Sequence, residues 1–255
     1  MWHDVRTLNA TTNALLGLLV LGLLASGFWW VAHRPMFTFR VVVVEGAQGA
    51  PLRHVSAPTI RTTALPGVKG NFFTADLDAV RQAFESVPWV RQATVRREWP
   101  NRLIVNVEEH RALGAWGDDG RLLSVKGEVF TANLAEAEAD GPLPVFSGPE
   151  GSAKDVVARF RELHEWLKPA GLVPESVALS ERYAWTVKLV GGMTVELGRE
   201  QARVSVQERA QRLVGIYPQL AARLQDRIET VDMRYPNGLA LSAQGLKLAT
   251  EGKKK

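Results

Sequence analysis

The sequence contains no cysteine, which excludes disulfide bonds, thiolate nucleophiles and thiolate metal centres. Histidine is scarce, and none of the five histidines has another His, Asp or Glu at the spacing of a known metal-binding motif. Neither a Gly-x-Ser-x-Gly elbow nor a phosphate-binding glycine loop occurs. The sequence therefore predicts a protein that is not an enzyme and that uses no metal, no cofactor and no small-molecule substrate.

A strong charge of either sign is also missing. The formal net charge is +4, and like charges are concentrated only in the C-terminal run Lys253 to Lys255. A nucleic-acid-binding protein would gather its basic residues on one face or along one helix. We therefore predict no nucleic-acid partner, and we expect the basic tail, 250–255, to be solvated.

Charged residues are absent from Thr7 to Ala32, where a long apolar run stands instead. The run over 14–32 is ALLGLLVLGLLASGFWWVA. At a rise of 1.5 Å per residue, its roughly 19 residues match the 30 Å hydrocarbon core of a bilayer. The two adjacent tryptophans near its end suit the headgroup region. The sequence predicts one transmembrane helix over 14–32, with marker positions Ala14, Leu24, Trp29, Trp30 and Ala32.

Two other interpretations of the apolar run are weaker. A cleavable signal peptide would have small residues where Trp29 and Trp30 stand, and a helix buried in a soluble protein is seldom apolar on every face. Flanking charge leaves the orientation open, because Arg6 precedes the run while Arg34 and Arg40 follow it. The preceding polar arm, 1–13, has no periodic pattern and is assigned no structure.

The region 37–110 predicts a small α+β domain of the order β-α-α-β-β. Runs of β-branched residues and strict alternation favour strands, and apolar residues at helical spacing favour helices. Two helices are expected to cover one face of the sheet. The predicted elements are a strand over 37–44, a weak helix over 55–63 interrupted by Pro58, a helix capped by Thr74 and ended by Pro88, and strands over 90–98 and 102–109 joined by the turn 99–101. We expect both Trp89 and Trp99 to pack on this domain.

A second, mixed β-rich domain with two helices is predicted over 111–249, where short apolar runs alternate with Gly and Pro. Apolar spacing predicts helices over 156–167 and 206–217. Strands are expected over 176–180, 185–190 and 193–197, the last two joined by a two-residue loop of Gly191 and Gly192. An alternating strand over 230–235 is followed by a turn at 236–238 and by final strands over 239–242 and 246–248.

The end of this domain is the sharpest candidate for a binding site. Pro236 follows an alternating strand, and proline is tolerated in sheets only at strand ends, bulges or open edges. An open edge is a template on which a partner can add a strand, with main-chain hydrogen bonds supplying affinity. The alternative is an ordinary C-terminal hairpin that closes its own sheet.

Several motifs, taken in order along the chain, resemble those of the bacterial FtsQ/DivIB family of cell division proteins. They are GNFF (70–73), PWV (88–90), REWPN (97–101), LPVFSGP (143–149) and MRYPNG (233–238). The resemblance implies a single-pass inner-membrane protein with a cytoplasmic N-terminal arm, a periplasmic POTRA domain and a following β domain. It also implies a non-enzymatic divisome scaffold, enriched at the septum, that links early and late division proteins and helps to control septal peptidoglycan synthesis.

The same resemblance implies specific partners. Members of the family bind FtsB and FtsL, and contacts with FtsK, FtsW, FtsI and FtsN types of protein are further expectations. FtsB adds along the last strand of the β domain in such proteins. The positions of this sequence that match the FtsB-binding strand are Tyr235, Asn237, Gly238, Leu239 and Leu241.

Two functions from other classes remain as alternatives. A POTRA-type chaperone or transport accessory protein anchored in the membrane would be accompanied by the alternating strands and aromatic girdles of a membrane barrel, which this sequence lacks. An anchored periplasmic hydrolase would need an assembled set of catalytic residues. Turnover of cell-wall fragments would favour the hydrolase.

Overall fold

The structure, a computed structural model, describes residues 5–139, 141–224, 228–235 and 238–243. Predictions that concern Asn237, the strand at 246–248 and the tail at 250–255 lie outside these ranges. The fold class is α+β, with one N-terminal apolar helix followed by mixed sheets with helices. The chain divides into two compact units between Glu109 and His110.

The N-terminal helix α1 runs from Val5 to Ala32, a length of 28 residues. Its stretch Asn9–Ala32 has a mean hydropathy of 2.1 and is long and apolar enough to cross a membrane. The helix begins before the predicted span, so the assignment of no structure to 1–13 is wrong for 5–13. Once a helix is nucleated, each added residue gains a backbone hydrogen bond, so the helix extends from the apolar run back through this arm.

The rest of the first unit has the predicted β-α-α-β-β order. The sheet order is β1-β3-β2, with β1 parallel to β3 and β2 antiparallel to it. The bounds of the elements are β1 Val41–Gly46, α2 Ala57–Thr63, α3 Leu77–Glu85, β2 Val90–Glu98 and β3 Arg102–Glu109.

Three local predictions in this unit are wrong, each for a steric or capping reason. The strand β1 begins at Val41 rather than at Phe37, because Pro35 starts a tight turn that ends at Phe37. Pro58 lies in the first turn of α2, where a missing amide is harmless, so it starts the helix instead of interrupting it. Asp76 caps α3 by accepting from the amides of its first turn, and Thr74 does not.

Buried apolar side chains of α3 and β3 form part of the core of this unit, among them Val80, Phe84, Leu103 and Val105. Trp89 is buried as predicted. Trp99 also packs on this unit as expected: it is 63% exposed in the β2–β3 turn, but its ring centroid lies 5.7 Å from that of Phe37 and 5.4 Å from that of Phe72.

Two sheets are formed by the described residues of the second unit. The first has the order β6-β5-β4-β7 and the second the order β12-β11-β10-β9-β8. The first sheet is formed by β4 Ala112–Trp116, β5 Arg121–Ser124, β6 Val129–Phe130 and β7 Val145–Phe146, with the short helix α4 Leu134–Ala137 between the last two. The second consists of β8 Pro174–Leu179, β9 Ala184–Leu189, β10 Thr194–Arg199, β11 Ile228–Asp232 and β12 Ala240–Ala243.

Two amphipathic helices cover one face of the five-stranded sheet. They are α5, Ala153–Leu167, and α6, Val206–Leu224. The helix α6 continues past the predicted end at 217 and through Pro218, because its apolar stripe continues to pack on the core as far as Leu224. The connection from Leu189 to Thr194 contains four residues rather than two.

Candidate partner-binding edge

The strand β12 forms one edge of the five-stranded sheet and pairs antiparallel with β11. The opposite edge, β8, is continued by Ser147, which bridges to Ala178 and accepts from the Leu179 amide at 2.8 Å. No strand lies outside β12 within the residues that the structure describes. The hairpin and the open edge are therefore compatible, because β11 and β12 pair with each other and the outer side of β12 stays available.

The two predicted leucines of this edge belong partly to the fold. Leu241 stands directly opposite Val231, which is fully buried. Directly opposed residues of an antiparallel pair point to the same face, so Leu241 points toward the core face. Leu239, two residues earlier, packs against the core of this unit. A partner strand would contact the exposed parts of these two side chains and would pair with the backbone of β12 along its edge.

Tyr235 is a predicted site residue whose side chain is exposed to a partner. Its side chain is 54% exposed, while its carbonyl oxygen accepts from Arg212 Nη1 at 3.0 Å. The backbone is thus held to α6, and the ring projects outward. Gly238 is also exposed, with open space where a side chain would begin.

Arg234, which the sequence did not single out, is fixed beside Tyr235 by two carboxylates. Its Nε and Nη2 donate to Asp232 at 2.9 and 2.6 Å, and Nη2 lies 2.8 Å from Glu196 Oε2. The hydrogen bonds from Arg234 hold the pKa of Asp232 below its usual range, and they raise the pKa of Arg234. Arg234 therefore presents a fixed cation at the start of the edge.

A β-bulge at Gly198 makes room for this cation. The register of β9 and β10 shifts between Glu196 and Gly198, and Gly198 has a φ of +75°, which only glycine adopts without strain. A Cβ at Gly198 would stand 2.9 Å from Cγ of Arg234. The arginine can lie across the strand only because this residue has no side chain.

A basic cavity of about 520 Å³ opens next to Arg234. Four arginines and one glutamate line it, namely Arg182, Arg199, Arg209, Arg234 and Glu196. Because Arg234 is paired with Asp232 and Glu196, the positive excess of the cavity comes from the other arginines, and it suits a carboxylate. No sequence pattern predicted this cavity, because its arginines come from the β8–β9 turn, β10, α6 and the residues after β11.

Arg209 is only 2% exposed and forms the floor of the cavity. It donates to the carbonyl oxygens of Leu197, Arg199 and Val204 at 2.6, 2.7 and 2.9 Å. Burial lowers its pKa from the ordinary arginine value. Because its donors are used by the backbone, Arg209 holds the end of β10 in place and leaves ligand contacts to the outer arginines.

The span markers lie in α1 and are exposed, with the exception of Ala32. Ala32 is buried, and its carbonyl oxygen accepts from Asn71 Nδ2 at 2.6 Å. The guanidinium of Arg34 lies 3.5 Å from the ring centroid of Trp30, a cation–π contact. Over the described part of the chain, no group of three or more His, Asp or Glu side chains could hold a metal ion.

Two domain models of known protein families match most of the chain. Residues 37–110 match the model of the POTRA domain, FtsQ-type, and residues 114–234 match that of the cell division protein FtsQ/DivIB, C-terminal. The cell division protein FtsQ of Burkholderia pseudomallei is 50% identical over 251 residues, which cover 98% of each chain. The protein of that name from Bordetella pertussis is 42% identical over 254 residues, covering 95% of this chain and 93% of its own. The strand β12 lies beyond the second match.

Proposed function

The chain belongs to the FtsQ/DivIB family of cell division proteins, and on that premise we propose that it is a non-catalytic scaffold of the divisome. Its helix α1 anchors it in the inner membrane, with the arm 1–13 in the cytoplasm and the domains 37–110 and 111–249 in the periplasm. It gathers at the septum, links early and late division proteins, and helps to control septal peptidoglycan synthesis.

The proposed contact with the FtsB/FtsL pair is a strand added to β12. Among the residues that the structure describes, no strand pairs with the outer side of β12; this observation carries the proposal, because the backbone amides and carbonyls of such an edge are a template for another chain. Exposed Tyr235 supplies an aromatic anchor at the start of the edge. Asn237, which the structure does not describe, belongs to the same proposed contact.

Arg234 suggests a charge preference for the partner. Its side chain is 57% exposed beside Tyr235, so an acidic side chain of the partner near Tyr235 would meet this guanidinium. Charge of this kind contributes specificity and the rate of association more than affinity. We propose that FtsB supplies the strand and that FtsL is held through it, while contacts with FtsK, FtsW, FtsI and FtsN types of protein use other surfaces.

The experiment that tests this role is imaging of a fluorescent fusion of the full chain in cells depleted of their own copy. The account expects the fusion to gather at the division site, restore division and carry the periplasmic part of FtsB with it on purification. A Tyr235→Ala fusion should reach the membrane but recover less FtsB. Uniform membrane distribution, with division not restored, would contradict the proposed role.

A further inference from the structure

An aromatic surface lies next to the C-terminal end of α1 in the first unit. We define the membrane-side patch as Met36, Phe73 and Trp99, whose side chains are 63%, 42% and 63% exposed. Beneath it, Phe37 is buried and its ring centroid lies 4.9 Å from that of Phe73 and 5.7 Å from that of Trp99. The patch is therefore a fixed layer on a packed aromatic cluster.

Two contacts fix the depth of this patch along α1. The ring of Phe73 lies 6.4 Å from the ring of Phe28, centroid to centroid, and Asn71 Nδ2 donates to the Ala32 carbonyl at 2.6 Å. Phe28 precedes Ala32 by four residues, which is about 6 Å along a helix. Phe73 thus reaches back beside the apolar part of α1, to the level where Trp29 and Trp30 lie.

The loop that carries Phe73 is held in place by its own hydrogen bonds. Asn71 Oδ1 accepts from the amides of Phe73 and Thr74, each at 3.0 Å. The same asparagine therefore joins the loop to the end of α1 and orders Phe73. Lys69, Arg34 and Arg40 are exposed around the patch and suit the phosphates of lipid headgroups.

We propose that Met36, Phe73 and Trp99 insert into the headgroup region of the same bilayer that α1 spans, on the face where α1 emerges. The bilayer is the occupant that the geometry favours, because α1 leads directly into the patch and Phe73 already touches the apolar helix. Aromatic side chains prefer this region. The first folded unit then contacts the membrane surface directly, in addition to being connected to it through α1. This inference rests on the proposed span.

The length of strand β2 gives the distance between the two ends of this unit. The β2–β3 turn, which carries Trp99, lies at the membrane end, since Arg40 donates to the Asn101 carbonyl at 3.0 Å. The strand β2 runs from Val90 to Glu98, so at about 3.3 Å per residue its other end is roughly 26 Å away. Ser86 is exposed near that far end and serves as the matched control.

The absence of cysteine allows single labels to be placed without altering the background. We would label Trp99→Cys, Met36→Cys, Ser86→Cys and Leu24→Cys with a nitroxide in the full chain, reconstituted in nanodiscs of phosphatidylethanolamine and phosphatidylglycerol. Collision rates with lipid-soluble oxygen and with an aqueous nickel complex measure the depth of each label. Met36→Cys keeps both aromatic rings, so it tests the patch if Trp99→Cys disturbs it.

The proposal predicts that positions 99 and 36 collide several-fold less with nickel and more with oxygen than position 86. Position 24 should be the deepest. If position 24 is deep while positions 36 and 99 behave like position 86, the patch is in water and this inference is overturned, although the span stands. If position 24 is aqueous, the proposed span itself fails. Shielding of positions 36 and 99 from both reagents would indicate a protein contact and would also overturn the inference.

Discussion

Leu241 lies directly opposite Val231 in the outermost pair of the five-stranded sheet. Val231 is fully buried, so this pairing turns the side chain of Leu241 toward the core face and leaves the backbone of β12 on the outside. The edge therefore separates two roles. Its leucines hold the strand on the sheet, and its main chain is the part that we propose pairs with a partner strand.

Tyr235→Ala should weaken the binding of the periplasmic part of FtsB to the full chain in nanodiscs. The ring is 54% exposed, so its loss costs the fold little, whereas an aromatic anchor in an interface is worth about 2 kcal/mol, or roughly 30-fold in affinity. Isothermal titration calorimetry measures the change. Val190→Ala is the control, because Val190 is 66% exposed in the β9–β10 connection. This variant should bind FtsB like the unaltered chain. Equal affinity of the two variants would contradict the anchor role.

Gly198→Ala should destabilise the second unit more than the same change at Gly192. Both glycines have positive φ, +75° and +91°, so each alanine carries a backbone strain of about 1 kcal/mol. Open space surrounds Gly192, whereas a Cβ at Gly198 meets Arg234 at 2.9 Å. Urea unfolding of the two variants isolates the cost of displacing Arg234. Equal midpoints would show that the arginine does not depend on the bulge.

The titration of Asp232 should depend on Arg234. Hydrogen bonds from Arg234 lower the pKa of Asp232 in the folded chain, so their stabilisation is present above the ordinary aspartate value of about 3.9 and is lost as pH falls through the lowered one. In Arg234→Gln the Asp232 pKa should rise, as followed by carbon NMR of the carboxyl group. Arg182→Gln, which alters the same cavity, should leave it unchanged. An unaltered titration in Arg234→Gln would refute the pairing.

Arg209→Met should be among the most destabilising changes in the second unit. The three carbonyl oxygens that Arg209 holds would lose their donors in a buried position, at a cost of about 3 kcal/mol or more in the free energy of unfolding. Chemical denaturation measures this cost. Arg223→Met, on an exposed position of the same helix, should shift the midpoint little. Similar midpoints for both variants would contradict the structural role of Arg209.

Local patterns predicted some elements to the residue. The strands β2 and β3 have the predicted bounds, because alternating side chains and the turn at 99–101 specify both ends. Helix starts were less accurate, since Thr74 and Asp76 are both good caps by residue type and only the packed structure selects Asp76. Helix propensity would end α6 before Pro218. Tertiary packing extends the helix beyond this proline to Leu224.

The sequence likewise predicted only part of the candidate site. Pro236 and the alternation before it predicted an edge, and the resemblance supplied Tyr235 and Leu241. The basic cavity could not be predicted, because Arg182 and Arg209 meet Arg234 only through the register of β9, β10 and β11. Such convergence depends on a bulge at Gly198, and an isolated glycine in a strand predicts a bulge only in general terms.

The measurement that tests the edge most directly is a pair of proline substitutions at the neighbouring positions Ala240 and Leu241, each in the full chain in nanodiscs, with Leu241→Ala as the reference for the lost leucine side chain. In an antiparallel strand the amides of successive residues point to opposite sides, so one proline removes a hydrogen bond to β11 and the other removes only an outward amide. Unfolding midpoints identify which is which, and calorimetry measures binding of the periplasmic part of FtsB. The account predicts that the outward proline keeps the fold and loses the partner. A folded outward-proline variant that binds FtsB as tightly as the unaltered chain would contradict pairing at β12.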